Sequence, residues 1–429
     1  MIKKDVSLSG KQLDLFGGVA ASFVAYGEVD NHTLYCEVAR RIGADSSSLD
    51  KLAALSDGRR YNPFKRKVRW VQQTMKHLGL IEQADRGIWR LTSEGRKRLD
   101  LRRINTGHVM LAFSTGLGVA LWADCRSAFP SAGEPIQLVV TSPPFPLARP
   151  RAYGNPGEAE YVDFLCQAIE PIVRRLAPGA SIVLDLSNDI FLSGLPARSL
   201  YRERLVLALA DRFGLSKMDE IPWINRSKPP GPVQWASIRR SQLNSGWQPV
   251  YWFCNDPKIA LSDNRRVLKP HSQRHLELMH SGGEQRDRIN CDGAYRLRRG
   301  RSYAHITEGC IPKNVLERGH HCGSQMAYKA AARRAGLPVH GAPFPLDLAE
   351  FFIRFLTVEG DLVADPFGGS LTVALAAEKL GRHWIATEVI WEYLAGGGLR
   401  FDGTRNFQWN SGFQAVSPHH FNAGVGAAI

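Results

Sequence analysis

A serine, two prolines and an aromatic residue follow an apolar run in the second quarter of the chain. The run covers residues 136–140, and after Thr141 come Ser142, Pro143, Pro144 and Phe145. A hydroxyl and a carbonyl are hydrogen-bond acceptors, and adjacent prolines hold such groups rigidly because each proline fixes its own φ. Prolines also mark ordinary turns. The stretch therefore indicates either a rigid binding loop or a loop that only turns the chain and packs into the core.

A second stretch combines an acid, two glycines and a helix start. After another apolar strand come Asp365, Pro366, Phe367, Gly368, Gly369 and Ser370. Glycines let the backbone approach a ligand closely, and the helix that follows offers free amide donors at its start. Glu388 closes the next strand, where an acid commonly accepts hydrogen bonds from ribose hydroxyls. Alone, Glu388 would suit a solvated strand end, but the whole combination predicts a cofactor site.

A parallel sheet would bring these two loops together, and the pattern from residue 106 to residue 405 predicts one. Apolar strands alternate with amphipathic helices, such as the helix that we predict over residues 161–177, ending at Pro178 and Gly179. This alternation is typical of a doubly wound, Rossmann-like α/β fold with a mostly parallel sheet. Ligands bind such sheets at the carboxyl ends of strands, which is where both loops lie.

Together the two loops resemble those of the amino-methyltransferases, enzymes that move a methyl group from S-adenosylmethionine to an exocyclic amine of a DNA base. Residues 141–145 resemble the family's catalytic loop and residues 365–370 its cofactor loop, while Phe344 and Pro345 lie in a segment that lines the cofactor. The catalytic loop comes first, as in the permuted beta class, whose target-recognition region lies between the two halves. The resemblance implies S-adenosylmethionine as the cofactor and double-stranded DNA as the substrate.

The resemblance also assigns chemistry to the catalytic loop. The lone pair of an exocyclic amine is delocalised into the base, so acceptors aimed at its hydrogens help the nitrogen to attack. Ser142 and the carbonyl of Pro143 would supply these acceptors, and Phe145 would stack on a base flipped out of the duplex. Serine at the first loop position is typical of cytosine N4 methylation. Adenine N6 and RNA methyltransferases on the same fold, and a DNA-binding regulator without turnover, remain alternatives.

Two further residues bear on the cofactor site. The family often ends its cofactor loop with Gly-Ser-Gly-Thr, whereas Leu371 follows Ser370 here, and this departure is the one feature that favours a regulator. Asp124 precedes the catalytic strand, where the family often has an acidic cofactor contact. As a lone acid at a strand end it equally suits a helix cap.

The net charge of +14 is concentrated in two segments. Residues 59–103 contain 14 Lys/Arg against 4 Asp/Glu, a net charge of +10, and residues 258–334 contain 16 against 7, a net charge of +9. An even, solubilising surface would spread its charge, so the two blocks indicate two surfaces that face a polyanion such as nucleic acid.

The first basic segment belongs to a module that we place at residues 1–105. Two helical patterns followed by a short β-hairpin resemble a winged helix-turn-helix, in which the helix before the hairpin enters the DNA major groove. That helix carries the candidate DNA contacts Arg66, Lys67, Arg69 and Gln72. A helical dimerisation module with a solvated basic face is the alternative.

The remaining organisation follows from the two loops. We predict a catalytic half at 106–257, a basic target-recognition region at 258–334, a cofactor-binding half at 335–405 and a tail without a clear element at 406–429. Further candidate DNA contacts are basic residues before a strand and within the recognition region. They are Arg226, Lys228, Arg296, Arg298, Arg299 and Arg301.

Cysteine usage and hydropathy set the expected compartment. The seven cysteines are odd in number and lack paired spacing, so we expect a reducing cytoplasm and no metal site. No stretch approaches the roughly 20 apolar residues of a membrane span, and the first residues lack the apolar core of a signal peptide. We expect a cytoplasmic protein, nucleoid-associated while bound to DNA, with a cognate restriction enzyme as a candidate partner. The sequence does not determine the oligomeric state.

Overall fold

The computed structural model describes thirteen stretches of the chain. They are residues 15, 18–20, 22–24, 26, 28–54, 60–77, 79–99, 102–131, 133–147, 155–225, 228–319, 322–341 and 344–410. The N-terminal module contains β1 (Glu28–Asp30), α1 (Asn31–Arg41), β2 (Ala53–Ala54), β3 (Arg60–Tyr61), α2 (Pro63–His77), β4 (Ile81–Asp85), β5 (Ile88–Leu91) and α3 (Ser93–Leu99). An α/β body follows the module.

The first part of the body contains β6 (Val109–Ser114), β7 (Gly118–Ala123), α4 (Cys125–Ala128), β8 (Ile136–Thr141), α5 (Tyr161–Val173), β9 (Leu176–Asp185), α6 (Tyr201–Phe213), β10 (Ser216–Ile224) and β11 (Trp247–Cys254). The second part contains α7 (Gln273–His280), β12 (Arg288–Asn290), β13 (Tyr295–Leu297), β14 (Leu316–Glu317), α8 (Gly323–Arg334), α9 (Leu346–Leu356), β15 (Leu362–Asp365), α10 (Thr372–Lys379), β16 (His383–Glu388), α11 (Trp391–Gly398) and β17 (Gln408–Trp409). Over the described residues, no helix is long and apolar enough to cross a membrane.

The N-terminal module folds around a core of its own. Asp30 begins α1, because its carboxylate accepts hydrogen bonds from the backbone N–H groups of His32 and Thr33. The apolar face of α2, which includes Val68 and Met75, packs with α1 against the antiparallel sheet β1-β5-β4. Two helices followed by the β4–β5 hairpin are the elements that we predicted for a winged helix.

The body is built on a sheet whose described strands lie in the order β14-β10-β11-β9-β8-β15-β16-β7-β6-β17. The central strands from β9 to β7 run parallel, and each outer side begins with an antiparallel strand, β11 beside β9 and β6 beside β7. From β8 the chain continues to β9 on one side, and from β15 it continues to β16 on the other. The strand order therefore reverses between β8 and β15, the place where such sheets bind ligands.

Helices cover both faces of this sheet, and the apolar pattern of β8 reflects it. All six residues of β8 are buried. Leu138 and Val140 pack with α9, α10 and α11, whereas Val139 packs with α5 and α6. Ile136 packs with α5 and α6 as well, because the register shifts between Ile136 and Leu138. Successive side chains point to opposite faces, so a strand covered on both sides is apolar almost throughout. The predicted doubly wound, mostly parallel sheet is confirmed.

The structure corrects two predicted elements. The helix expected over residues 161–177 ends at Val173, and β9 already begins at Leu176. Pro178 and Gly179 lie where the pairing with β8 shifts register, and a bulged strand start uses proline and glycine as readily as a helix end does. The segment after residue 405, expected to lack a clear element, forms β17 beside β6. Residues 411–429 of the predicted tail lie outside the described residues.

Candidate active site

A buried hydrogen bond joins the two loops that the sequence singled out. The hydroxyl of Thr141, the last residue of β8, donates to Asp365 Oδ1 at 2.7 Å, and the backbone N–H of Phe367 donates to the same oxygen at 3.1 Å. Burial raises the pKa of Asp365 to about 7. The carboxyl ends of β8 and β15 are therefore fixed against each other, as the parallel sheet predicted.

Ser142 is held by a residue that the sequence analysis did not single out. Its hydroxyl donates to Asp185 Oδ2 at 3.0 Å, and Gln248 Nε2 lies 3.4 Å from the other carboxylate oxygen. Asp185 ends β9 and is 3% exposed, and burial raises its pKa to about 7. The sequence contained a pattern that could have identified it, because Asp185 ends an apolar strand as Asp365 and Glu388 do.

The rest of the catalytic loop is fixed by packing and by one side-chain contact. Pro143 is buried, while Pro144 and Phe145 are half-buried beside a cavity. Asn155 Nδ2 donates to the carbonyl of Phe145 at 2.6 Å. This asparagine lies beyond a stretch of the chain outside the described residues, and no sequence pattern marked it.

The cofactor loop needs glycine at one position. Gly369 has φ of +51°, and a Cβ atom there would lie 3.1 Å from the ring of His340. The backbone N–H groups of Gly369 and Ile390 each donate to the carboxylate of Glu388 at 2.8 Å. Burial raises the pKa of Glu388, whereas these two hydrogen bonds oppose that effect. Glu388 is thus oriented at the loop rather than solvated at a free strand end.

Leu371 takes a left-handed conformation with φ of +55°, which costs a branched side chain roughly 1–2 kcal/mol. Its side chain is fully buried and lies against Gly368 and Gly397, where a Cβ atom would come within 2.9 Å of it. The two glycines therefore provide the space that the leucine fills. Its side chain points into the core and lines neither cavity of the site.

Arg400 supports the cofactor loop from behind. Its guanidinium donates at 2.8 Å to the carbonyl of Ser370, the hydroxyl of Thr372 and the hydroxyl of Ser324. Burial lowers its pKa to about 10. The arginine lies 30 residues from the loop in sequence, so no local pattern could identify it.

The predicted residues meet around one cavity of about 400 Å³, with a smaller pocket of about 30 Å³ beside it. The two spaces share Ser142, His340 and Phe367. The predicted residues that line the larger one are Asp124, Ser142, Pro143, Pro144, Phe145, Pro366, Phe367 and Glu388. Those that line the smaller one are Ser142, Phe344, Asp365, Phe367, Gly368, Gly369 and Ser370. Pro345 lines neither space and is the buried residue that precedes α9.

Asp124 fulfils both descriptions that the sequence left open. It caps α4 by accepting a hydrogen bond from the backbone N–H of Arg126, and it lines the larger cavity. Burial raises the pKa of Asp124, but hydrogen bonds from Arg126 outweigh burial and lower it overall. The cavity therefore has an ionised acid at this end.

The predicted DNA contacts on α2 divide into exposed and buried residues. Arg66, Lys67 and Arg69 are exposed, and Arg69 Nε donates to the hydroxyl of Tyr35 at 2.7 Å.

Gln72 is a correction, because it is 2% exposed and its amide donates to Asn31 Oδ1 at 3.0 Å. It lies four residues after Val68 and three before Met75, on the helix face that packs into the core. Gln72 cannot reach DNA from there.

Lys228 is paired within the protein. Its ammonium lies 2.7 Å from a carboxylate oxygen of Asp189, and its side chain is 20% exposed, so it compensates a half-buried acid, and its contact with phosphate stays a prediction. Arg226 lies outside the described residues. The other four predicted contacts are exposed in and after the β12–β13 hairpin. They are Arg296, Arg298, Arg299 and Arg301.

Over the described ranges, no group of three or more His, Cys, Asp or Glu residues lies close enough together to hold a metal ion.

Known proteins resemble the chain in both of its parts. Residues 136–396 match the DNA methylase family of N6 and N4 methyltransferases, and residues 21–100 match the Mrr N-terminal domain. The type II methyltransferase M.PvuII of Proteus hauseri is 36% identical over 268 residues, which cover 62% of this chain and 78% of that protein. M.BamHI of Bacillus amyloliquefaciens is 22% identical over 283 residues, covering 65% of this chain and 56% of that protein.

A solved structure agrees with these matches. The PvuII DNA methyltransferase, described as cytosine-N4-specific, superposes with a TM-score of 0.53 at 32% identity and covers 69% of this chain and 90% of that chain. The predicted fold is confirmed, as is the predicted enzyme class, a DNA methyltransferase that uses S-adenosylmethionine. The match spans more than half of the chain and both loops of the site, and the chain therefore belongs to the DNA methylase family of N6 and N4 methyltransferases.

Proposed function

We propose that this protein transfers a methyl group from S-adenosylmethionine to the exocyclic N4 of cytosine in double-stranded DNA. The observation that carries the proposal is Ser142, a hydroxyl rather than an acid or amide, at the first position of a loop that lines the cavity. The cytosine-N4 specificity of the PvuII enzyme supports the same base.

The cavity fits this cofactor in size and charge. A volume of about 400 Å³ lies within the range of small-molecule sites. Asp124 and Glu388 line it together with Arg103 and Arg126, and Asp365 lines the smaller pocket beside it. The three acids suit a ligand with a sulfonium and an ammonium group. Glu388 accepts two backbone hydrogen bonds and keeps lone pairs for ribose hydroxyls. Bound S-adenosylmethionine supplies an electrophilic methyl group.

The residues of the catalytic loop then orient the base. Ser142 gives its hydroxyl hydrogen to Asp185, so its lone pairs face the amine hydrogens of the cytosine. The carbonyl of Pro143 is the second acceptor, and both acceptors stabilise the positive charge that develops on N4 until N4 releases one of its two hydrogens to solvent as a proton. Phe145, whose carbonyl is held by Asn155, stacks on the flipped base. None of these groups has to reorganise during the reaction.

The activity should rise with pH through about 7 because Asp185 must be ionised to accept the hydrogen of Ser142. Burial raises the pKa of this acid, so it is protonated below about 7 and kcat/KM is expected to fall there. Initial rates measured from pH 5.5 to 9 test this. Asp365 also has a pKa of about 7, so Asp185→Asn is needed to identify the group.

Asp185→Asn should lower kcat/KM and flatten the rise, whereas Asp163→Asn, on the outer face of α5, should leave the profile unchanged. A rise that persists unaltered in Asp185→Asn would contradict the assignment to this carboxyl.

We propose that the exposed residues of α2 and the arginines of the recognition region bind the phosphates of the DNA. Arg298→Ala and Arg299→Ala should each make the dependence of log K on log salt less steep by about 0.9. The reason is that a phosphate without its protein contact keeps its condensed counterions in the complex. Fluorescence anisotropy with a duplex between 50 and 300 mM salt measures the slope. Arg174→Ala is the control, because this exposed arginine directly after α5 lies outside both segments that we propose to contact DNA. Unchanged slopes in both variants would place the phosphate contacts elsewhere.

The deciding experiment is product analysis. The purified protein is incubated with unmethylated bacterial DNA and S-adenosylmethionine, and the DNA is digested to nucleosides for mass spectrometry. N4-methylcytosine would support the proposal, and N6-methyladenine would move the activity to adenine on the same fold. No methylated base, in a protein that binds the cofactor, would favour an RNA substrate or a regulator.

We also propose a cytoplasmic protein that associates with the nucleoid through its DNA substrate and acts beside a restriction enzyme of the same recognition sequence. The description of M.PvuII and M.BamHI as type II methyltransferases supports this partner. DNA from cells that express the protein should resist the partner's cleavage.

A further inference from the structure

The segment that joins the N-terminal module to the body is bonded into the cofactor side of the sheet. We refer to residues 102–104 as the joining segment. The backbone N–H of Ile104 donates to the carbonyl of Val389 at 3.0 Å, and the N–H of Trp391 donates to the carbonyl of Arg102 at 2.9 Å. The backbone N–H and the Nε of Arg102 each donate to the carboxylate of Glu392 at 2.9 Å. The joining segment therefore lies along the residues that directly follow Glu388.

The middle residue of this segment faces the cavity. Arg103 lines it together with Asp124, Glu388 and Val389. Burial has the largest effect on the pKa of both acids and raises it, whereas the charge of Arg103 acts to lower both values. The guanidinium is thus close enough to these carboxyls to act on them, although it belongs to a segment that the sequence assigned to the N-terminal module.

The order of the strands shows which part of the cofactor this end receives. Ser142 follows β8, Asp365 ends β15, Glu388 ends β16 and Asp124 follows β7, and these strands are consecutive neighbours. Neighbouring strands lie about 4.8 Å apart, so Ser142 and Glu388 are separated by roughly 10 Å along the edge. In the proposed function the reacting methyl lies beside Ser142 and the ribose beside Glu388. What continues past the ribose, toward β7, is the adenine.

We propose that Arg103 is a binding residue for the adenine of the cofactor, with its guanidinium plane against the ring, and that the joining segment forms one wall of the cofactor site. Guanidinium groups stack on planar aromatic rings, and the bonds of Arg102 and Ile104 hold the backbone on both sides of Arg103 in place. This inference rests on the cofactor site of the proposed function. It also means that the module and the cofactor site share one piece of chain.

The test is a calorimetric titration of the full-length protein with two probes, S-adenosylmethionine and 5′-methylthioadenosine, which lacks the amino-acid part. Arg103 is exposed, so Arg103→Ala should weaken both by the same factor, roughly 2- to 5-fold, as expected for loss of a cation–π contact at an exposed site. Arg103→Lys keeps the charge but loses the plane, so it should lie between wild type and Arg103→Ala. Arg86→Ala, at the turn of the β4–β5 hairpin, is the control and should bind both probes as wild type does.

The outcomes separate this inference from the proposed function. Equal affinity of wild type and Arg103→Ala for both probes would overturn it while leaving the methyltransferase intact. A loss confined to S-adenosylmethionine would also overturn it, because the contact would then be to the amino-acid part. A wild-type protein that binds neither probe would overturn the proposed cofactor site itself. If Arg103→Ala lowers the melting temperature, the affinities of Arg103→Lys and wild type for the two probes are compared instead, and equal affinities would overturn the inference.

Discussion

Replacement of Ser142 by alanine is expected to lower kcat for DNA methylation by about 10²- to 10³-fold, the usual cost of losing one preorganised group at a developing charge. The alanine removes the acceptor that faces the base amine and takes away the hydrogen bond to Asp185 Oδ2, while Gln248 still donates to the other carboxylate oxygen. The loop keeps its prolines and the contact between Asn155 and the carbonyl of Phe145, so its position should change little. The loss should therefore appear in the methyl-transfer step and not in binding.

Transfer of a labelled methyl group measures kcat, while anisotropy and calorimetry measure binding of DNA and of S-adenosylmethionine. Ser216→Ala makes the same change at the start of β10, at the end of the sheet away from the site, and should retain full activity. Activity within a few-fold of wild type in Ser142→Ala would show that this hydroxyl is not the acceptor. Cofactor and DNA binding without turnover in the wild-type protein itself would support the regulator alternative.

Glu388→Ala is expected to weaken S-adenosylmethionine binding by about 10²-fold, because each hydrogen bond to a charged group contributes about 1.5–3 kcal/mol. The alanine removes the acceptor for the ribose hydroxyls, and it also removes the acceptor that fixes the N–H of Gly369. Arg400 still holds the carbonyl of Ser370, so the loop should remain in place at its far end. The binding site should thus be damaged locally without loss of the fold.

Calorimetric titration gives the Kd, and a thermal melt without cofactor reports on the fold. Glu388→Gln keeps the shape of the side chain and should weaken binding less than Glu388→Ala does. Glu359→Ala is the matched control, because Glu359 lies in the turn before β15, at the end of the sheet away from the site. An unchanged Kd in Glu388→Ala would remove this acid from the cofactor site.

The sequence by itself located the site where consecutive residues carry the chemistry. Residues 141–145 and 365–370 each follow an apolar strand, and Glu388 closes a third, so local patterns were enough to predict that all three lie at one edge of a parallel sheet. The same patterns set the doubly wound fold, because alternating strands and helices leave few other arrangements. Residue types alone were not enough on the DNA side, where Gln72 proved buried and Lys228 is paired with Asp189.

The tertiary structure decided which remote side chains complete the site. Asp185 reaches Ser142 across 43 residues of chain and Arg400 reaches the cofactor loop across 30, while Arg103 lines the cavity from the other end of the sequence. Burial, hydrogen-bond partners and shifted pKa values depend on distances in space. Sequence spacing determines such distances only within one helix, strand or turn. The two loops could therefore be predicted from the sequence, whereas the residues that hold them required the fold.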